Sequence, residues 1–439
     1  MNVFIETYGC QMNVNDSEVA LSILKGAGYV RCESIGEADL ILINTCSIRD
    51  NAEQRVLGRL DVFRQEKVRR RGVVVGVLGC MAERLKEKLL ENPAVDIVAG
   101  PDAYRDLPRL VAAVTASGKQ INTILSHEVT YADISPVRMD KEGVTAFISI
   151  MRGCNNVCSY CIVPYVRGAE RSRDPESIVR EAKELIAAGY KEINLLGQNV
   201  DSYCWKGDGQ PVDFAALLER VAEIDPAIRI RFATSHPKDM GDAVLLAMAR
   251  HANICRHIHL PVQSGSDGML EKMNRKYTRA HYLERIARIR EILPDCAVTT
   301  DVIAGFSGES DADHAATLSL MREVRYDSAF MFQYSERPGT KASRHYPDDV
   351  PAAVKTARLN EIIALQNEIS LESNLRCVGQ TYEVLVECVS KRSDAELMGR
   401  TSQNKSCVFP VAGHKPGDTV NVRVLSCTSA TLRCEIVEN

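Results

Sequence analysis

The sequence predicts an α/β chain in three parts: an open parallel α/β domain, a central partial (β/α)6 barrel and a small C-terminal β-barrel. Three observations carry this. Short apolar runs alternate with segments of 3.6-residue apolar spacing to about residue 115, and the same alternation returns between about 144 and 334. From about residue 380 the spacing changes to period two. The 439 residues correspond to roughly two to four domains, and 45% apolar residues supply several cores, which excludes a disordered or fibrous chain.

In the first part, strand-like runs lie at 3–8, 40–45 and 73–78, with a weaker one at 95–99, and helical spacing at 16–25, 49–70 and 82–90. That alternation implies right-handed crossovers and a small open parallel sheet. Residues 118–142 are polar, lack sustained periodicity and end in a charged cluster from Arg138 to Glu142, which reads as a linker. Strands of the middle part are expected near 146–150, 192–196, 229–233, 257–261, 298–304 and 329–334. Asp174 ahead of Pro175 marks one helix start, a capping side chain before a first-turn proline. Six βα units in succession make a barrel or part-barrel, whose chemistry sits at the carboxyl ends of its strands. Residues 350–377 read as one long amphipathic helix, with Leu359, Ile362, Ile363, Leu365, Gln366 and Ile369 on its apolar stripe. Beyond it, 382–389, 406–410, 419–425 and 431–437 alternate as short strands of a small barrel. The expected divisions are 1–117, a linker at 118–143, 144–373 and 374–439.

Lys+Arg 54 against Asp+Glu 58 leaves a formal charge of −4, so any nucleic-acid contact must come from local basic patches. Residues 49–71 hold eight basic against four acidic residues, which is also the pattern of a solvated helix face, and 152–173 hold four against one. No apolar run reaches the roughly 18 residues of a membrane span. The first residues lack the basic and apolar regions of a signal peptide. A cytoplasmic protein is expected, in which 15 cysteines point to metal or redox work by some of them rather than to disulfides.

The strongest local signal is Cys154, Cys158 and Cys161, three thiols within eight residues just past a strand end. Soft sulfur ligands suit iron–sulfur and zinc sites. The loop supplies no fourth Cys or His between Gly153 and Arg173, so a cluster held at three corners fits it. A structural zinc site would have to be completed from elsewhere, and incidental core thiols are the third reading. Cys10, Cys46 and Cys80 form a dispersed set, each one or two residues beyond a strand, at spacings of 36 and 34. Consecutive strand ends of an open parallel sheet lie side by side at the carboxyl edge, where ligands bind, so these three would converge on a second cluster. Unrelated buried thiols are the alternative. The remaining Cys32, Cys204, Cys255, Cys296, Cys377, Cys388, Cys407, Cys427 and Cys434 show no ligand spacing and read as core or incidental.

Cys-x3-Cys-x2-Cys with Tyr160 before the last cysteine resembles the signature of radical S-adenosylmethionine enzymes. With a three-cysteine domain before it and a β-barrel after it, the chain is similar to the radical S-adenosylmethionine methylthiotransferase family. The resemblance makes the centre a TIM-like radical S-adenosylmethionine core and the barrel an RNA-binding TRAM module. It rests on TYGCQMN at 7–13, INTCSIR at 43–49, RGCNNVCSYCIVPYVRGAERSR at 152–173, TSHP at 234–237, HLPVQSGS at 259–266 and GRTSQNKSCVF at 399–409. Together these most resemble the branch acting on N6-dimethylallyladenosine in tRNA. Branches acting on ribosomal protein S12 and on threonylcarbamoyladenosine in tRNA usually read GCPKN and GCKVN where this chain has GCQMN. The usual GFPGET appears here as GFSGES at 305–310, with Ser307 in place of the proline.

The resemblance implies a transferase converting C2–H of the base beside the tRNA anticodon to its 2-methylthio derivative. An aromatic C–H has neither acidity nor a leaving group, so a radical route is required. Two S-adenosylmethionine molecules and two 4Fe–4S clusters are implied. The cluster on Cys154, Cys158 and Cys161 would bind S-adenosylmethionine at its open iron, and the auxiliary one on Cys10, Cys46 and Cys80 would carry the sulfur. No catalytic residue separate from these ligands is implied. Tyr160, Gln198, Asn199, Ser235, Gln263 and Ile303 would contact S-adenosylmethionine, although Gly197 and Gly305 also fit as turn glycines and His236 as a loop histidine. Arg167 and Arg171, with Arg173, are expected to meet phosphate or carboxylate. Arg400, Asn404, Lys405 and Phe409 would offer cation, amide and stacking groups to a single-stranded loop. The implied partners are a tRNA anticodon stem-loop carrying dimethylallyladenosine and an electron donor, with the sulfur source unspecified. A monomer without membrane contact is expected.

Overall fold

The computed structural model describes residues 1–47, 50–128, 131–139, 143–207 and 209–437. Ile48 and Arg49, the expected start of the helix at 49–70, and 140–142, the expected charged end of the linker, lie outside the described residues. The chain divides into two compact units, one of 1–141, 149–157 and 161–177, the other of 142–148, 158–160 and 178–439.

The first unit is built on six parallel strands: β1 (Asn2–Tyr8), β2 (Val30–Arg31), β3 (Leu40–Thr45), β4 (Val74–Gly79), β5 (Ile97–Ala99) and β6 (Gln120–Asn122), in the spatial order 2-1-3-4-5-6. β3 and β4 are buried throughout, as near-continuous apolar runs covered on both faces must be. The edge strands β2 and β6 are two and three residues long, too short for a periodic signal, and were not expected. β6 falls in the stretch read as a linker, much of which packs onto the helix Gln11–Gly26. Ser22 Oγ donates to Ser135 O at 2.8 Å, and Arg138 pairs with Glu18 at 2.7 Å. That helix starts five residues earlier than its apolar spacing indicates, because its first turns bury the polar Asn13, Asn15 and Asp16. A short antiparallel pair, β8 (Met151–Arg152) and β9 (Arg171–Ser172), closes the base of the loop between them.

The second unit carries β7 (Thr145–Ser149), β10 (Glu192–Leu196) and β13 (Arg229–Ala233) in one three-stranded sheet and β14 (His257–His259), β15 (Ala297–Ala304) and β16 (Ser328–Gln333) in another. A small hairpin of β11 (Cys204–Trp205) and β12 (Val212–Asp213) follows β10. Backbone bonds join the two sheets across β13 and β14: Cys255 N to Ile230 O at 2.9 Å and Ser235 N to His259 O at 3.2 Å. The expected six strands thus form one wall, with β7 and β16 at its ends. Asp174 caps the helix Pro175–Ala187 through Ser177 N at 2.9 Å, as the sequence indicates. The long helix spans Ala352–Leu375 and packs on β16. β17 (Thr381–Ser390), β18 (Ser393–Thr401), β19 (Ser406–Pro410), β20 (Thr419–Cys427) and β21 (Leu432–Ile436) close a barrel in the order 17-18-19-21-20. β18 was unexpected, since SDAELMGRT carries three charged residues along a half-exposed ribbon.

The small barrel seats on the amino ends of the core strands. Arg229 donates to Arg400 O at 2.6 Å and to Glu383 Oε1 at 2.9 Å, and Arg231 to Thr401 O at 2.7 Å while pairing with Glu192 at 2.7 Å. The carboxyl ends are left for the site.

Candidate functional site

Strand register gathers the dispersed cysteines. Tyr8 is level with Thr45, and Thr45 with Gly79, so Cys10, Cys46 and Cys80 leave the sheet at one edge within a residue or two of each other. Cys46 N donates to Tyr8 O at 3.0 Å, and Cys10 begins the helix Gln11–Gly26. Two glycines permit the approach. At Gly79 (φ +88°) a side chain would fall on Asn44 Oδ1 and lie 2.7 Å from Thr45 O; at Gly9 it would lie 2.9 Å from Cys46 Cβ. Beneath lies a polar scaffold the sequence reading missed, although both its asparagines sit in the quoted motifs. Asn13 Nδ2 donates to Asn44 Oδ1 at 3.3 Å and Thr45 O at 3.2 Å, and Asn44 Nδ2 donates to Asn13 O at 3.0 Å and Ser17 Oγ at 2.9 Å. Burial pushes the Cys80 thiol up, and the neighbouring Arg167 opposes it.

Arg167 and Arg171, expected to meet phosphate or carboxylate, are placed inward on carboxylates of the chain itself rather than on an RNA-facing surface. Arg167 (4% exposed) pairs with Asp16 Oδ2 at 2.7 Å, and Arg152 with the other oxygen of that carboxylate at 2.5 Å. Arg171 (7% exposed) pairs with Asp102 at 2.8 Å. Arg173 is likewise buried, donating to Ser177 Oγ at 2.9 Å. Each guanidinium is held inside the first unit by a carboxylate or hydroxyl that the sequence pattern does not flag.

Within the second unit, residues 158–160 are stitched to the core. Ser159 N donates to Met273 O at 2.9 Å and Ser159 Oγ to Lys272 O at 2.8 Å, while Tyr160 packs edge-on against Phe306 at 6.4 Å. Arg275, absent from every sequence pattern, is buried with Nη1 3.3 Å from Cys158 Sγ, Nη2 2.7 Å from Pro261 O and Nε 2.9 Å from Tyr277 OH. In the first unit, Cys154 N donates to Gly168 O at 3.2 Å, fixing the start of the loop.

Gln198, Asn199, Ser235, Gln263 and Ile303 all lie at or beyond the carboxyl ends of β10, β13, β14 and β15. Among the described residues, Asn194 Oδ1, Gln198 Oε1, Asn199 Oδ1 and His236 Nε2 are buried without a hydrogen-bond partner, a concentration that calls for a polar ligand. Burial, with Arg275 and Lys238 adding to it, pulls His236 down to about 2, so its ring is neutral. Burial raises Asp201, which accepts from His236 N at 3.1 Å, to about 7. The 305–310 loop, with Ser307 where the proline is usual, is held by its own glutamate. Glu309 accepts from Gly305 N at 2.8 Å and pairs with Arg358 at 2.9 Å.

The donor chemistry of both cysteine sets fits iron–sulfur clusters. Among the described residues no three Cys, His, Asp or Glu side chains close around a single ion.

The RNA candidates of the small barrel divide. Phe409 is 1% exposed in the barrel core, so its ring cannot stack on a base. Lys405 Nζ is held by Ser373 Oγ at 3.0 Å, Asn374 Oδ1 at 2.9 Å and Asp327 at 3.1 Å, tying the barrel to the core. Arg400 and Asn404 pair at 3.0 Å, with the Arg400 side chain 41% exposed.

A radical S-adenosylmethionine core preceded by a three-cysteine α/β domain and followed by an RNA-binding type of barrel defines the class, and comparisons with known proteins agree. Residues 2–100 match the family described as "Uncharacterized protein family UPF0004", 148–321 the radical SAM superfamily and 375–437 the TRAM domain. The chain is 59% identical to a tRNA-2-methylthio-N(6)-dimethylallyladenosine synthase of Bacteroides thetaiotaomicron over 99% of this chain and 96% of that one. It is 55% identical to one of Porphyromonas gingivalis over 99% and 95%. The chain belongs to the tRNA-2-methylthio-N(6)-dimethylallyladenosine synthase family. Among solved structures, the radical S-adenosylmethionine methyltransferase TsrM of Kitasatospora setae, with tryptophan substrate and a S-adenosylmethionine analogue bound, superposes with a TM-score of 0.58 at 14% identity, covering 87% of this chain and 78% of that one. The cobalamin-dependent enzyme OxsB gives 0.53 at 11%, covering 83% and 56%. These two share the fold alone.

Proposed function

We propose that this protein is a transferase that converts N6-dimethylallyladenosine beside the tRNA anticodon to its 2-methylthio derivative. The observation that carries it is 59% identity across 99% of the chain to an enzyme of that activity. The cofactors are S-adenosylmethionine and two 4Fe–4S clusters. In our reading Cys154, Cys158 and Cys161 hold the cluster that binds S-adenosylmethionine, and Cys10, Cys46 and Cys80 hold the auxiliary one. When bound, these groups supply one-electron cleavage of S-adenosylmethionine and the sulfur to be inserted.

The chain's own residues place and insulate. Gln198, Asn199, Ser235 and Gln263 would turn their polar groups to the amino acid and ribose portions of S-adenosylmethionine, with Tyr160 and Ile303 beside it. A neutral His236 would add no positive charge to a site that takes a cationic cofactor. Arg275 donates to Cys158 Sγ and holds that side chain in place. Asn13 and Asn44 fix the backbone from which Cys10 and Cys46 project.

Arg400 and Asn404 remain as contacts for the RNA loop. The reading also carries an electron donor, a monomeric protein and action in the cytoplasm away from membranes. Among the described residues no helix is long and apolar enough to cross one.

Mass spectrometry of tRNA nucleosides after anaerobic incubation with reconstituted protein, S-adenosylmethionine and reductant tests the proposal. The 2-methylthio nucleoside is expected from dimethylallyladenosine-containing tRNA. Its absence, with modification of threonylcarbamoyladenosine or of ribosomal protein S12 instead, overturns it.

A further inference from the structure

β16 presents an unusual face. Phe330 is 54% exposed and Phe332 41%, both on the side opposite Ala329 and Met331, on a strand whose other face packs on the helix Ala352–Leu375. Their register partners are Asp301 and Ile303 on β15, and Phe330 meets the ring of His259 on β14 edge-on at 5.7 Å. On β15 Asp301 and Ile303 are half-buried between the buried Thr300, Val302 and Ala304, and as register partners of the two phenylalanines they share a face with them. His259 Nδ1 lies 3.0 Å from Thr299 Oγ1 and its Nε2 3.4 Å from Asp301 Oδ1, fixing the carboxylate on that face. Below them His257 shares Thr299 Oγ1 at 3.0 Å and is held neutral, pulled to about 3 by burial with Arg231, His259 and Arg400 around it. Above, Gln263 hydrogen-bonds alongside, its N to Asp301 O at 2.8 Å and its O from Ile303 N at 3.0 Å.

A terminal strand with two exposed phenylalanines is an association hazard unless something covers it. The chemistry of the wall specifies what. Two aromatic rings offer stacking and apolar surface, and one carboxylate offers an acceptor. We propose that the β14–β16 wall is the specificity face for the target base, in a reading that rests on the function proposed above. An adenine bearing an N6-alkenyl group has a π-face for one phenylalanine ring, an apolar tail for the other and a single N6–H for Asp301. An unmodified adenine lacks the tail. Threonylcarbamoyladenosine brings its own carboxylate toward Asp301, and like charges facing each other select against it. Phe330, Phe332 and Asp301 are therefore specificity-determining residues.

The test uses the full reconstituted chain and three synthetic anticodon stem-loop RNAs, carrying dimethylallyladenosine, adenosine or threonylcarbamoyladenosine, with binding read by fluorescence anisotropy in the absence of reductant. Wild type is expected to bind them in that order of decreasing affinity. Phe332→Ala is expected to weaken dimethylallyl binding about ten-fold, the scale of one lost base stack, and Phe332→Trp to retain it. Asp301→Asn is expected to narrow the discrimination against threonylcarbamoyladenosine about ten-fold, a reading that stands even where a phenylalanine variant fails to fold. The proposal is overturned if Phe332→Ala and Asp301→Asn, each with wild-type iron content and unfolding temperature, keep the wild-type preferences. If wild type methylthiolates dimethylallyl RNA while the preferences stay unmoved, the wall is wrong and the function stands. If wild type yields no methylthio nucleoside, the function itself has failed.

Discussion

Asp16→Asn tests the electrostatic logic of the first unit. The Asp16 carboxylate is fully buried and accepts from Arg152 at 2.5 Å and Arg167 at 2.7 Å, both nearly buried themselves. Burial alone would raise its pKa, but the two guanidiniums outweigh burial and hold it below the ordinary carboxylate range. Asparagine keeps the shape and removes the charge, leaving two buried cations uncompensated. Breaking one partner out of a buried ion pair costs about 3–5 kcal/mol. For a unit of this size each kcal/mol moves the midpoint by about 2–4 °C, so a fall on the order of 10 °C is expected. The assay is thermal unfolding at pH 7 of the reconstituted protein, with hydrogen exchange of peptides covering 11–26 and 151–171 locating the loss. The pH sign follows from a depressed folded-state pKa: the stabilisation is complete above the unfolded value near 4 and is lost as pH falls through the folded one. The variant should therefore lose less stability than wild type on acidification. An unfolding temperature within about 1 °C of wild type, with unchanged exchange in both peptides, would refute the reasoning, since it lies well inside the shift expected from a buried pair.

Three other expectations follow from single side chains. Burial raises Asp201 to about 7, so the folded state loses stability as pH climbs from about 4 to 7 and the penalty is full above that; Asp201→Asn should raise the unfolding temperature at pH 8 and hardly move it at pH 4, and equal shifts at both would contradict the assignment. Gly79→Ala forces a side chain onto Asn44 at φ +88° and should cost about 1–3 kcal/mol with loss of roughly half the bound iron, which an iron assay beside thermal unfolding reads. Arg275→Met removes the donor 3.3 Å from Cys158 Sγ; the cluster potential should fall, by at most on the order of 100 mV, with Arg275→Lys between the two, and an unmoved midpoint in an anaerobic redox titration would exclude the contact.

What was legible in the sequence was whatever repeats or clusters. β3 and β4 announce themselves as unbroken apolar runs, and Cys154, Cys158 and Cys161 need no folding to be seen together. The Cys10, Cys46 and Cys80 set was readable because one βα unit separates its members and register does the rest. Partners of these residues were not readable. Asp16, Asp102 and Arg275 act through contacts 69 to 151 residues away in sequence, and no local period encodes such a separation. The same gap misled the reading of charge. A basic run beside a cysteine loop looks like an RNA surface until its counter-ions, lying in another part of the chain, are seen. Phe409 failed for a related reason, since alternation alone does not say which face of a small barrel points inward.

One regularity joins the two cysteine sets. Each has a buried arginine against one of its sulfurs: Arg167 beside Cys80 in the first unit and Arg275 beside Cys158 in the second. A cluster held by three thiolates is an anion, and a buried anion needs a compensating cation. Burial by itself would favour the neutral thiol, as it does at Cys80, where Arg167 pulls the other way. Lysine could escape by shedding its proton, whereas arginine cannot, so the positive charge is permanent whatever the cluster's redox state. The stoichiometry fits. Arg152 and Arg167 share the single carboxylate of Asp16, which leaves one positive charge in excess near Cys80. Arg275 spends its other donors on Pro261 O and Tyr277 OH, neither of them charged, so its charge faces Cys158 undiluted. In the reading proposed above, the two halves of the chain arrive by different residues at the same solution, a fixed cation beside a cysteine that would hold a cluster.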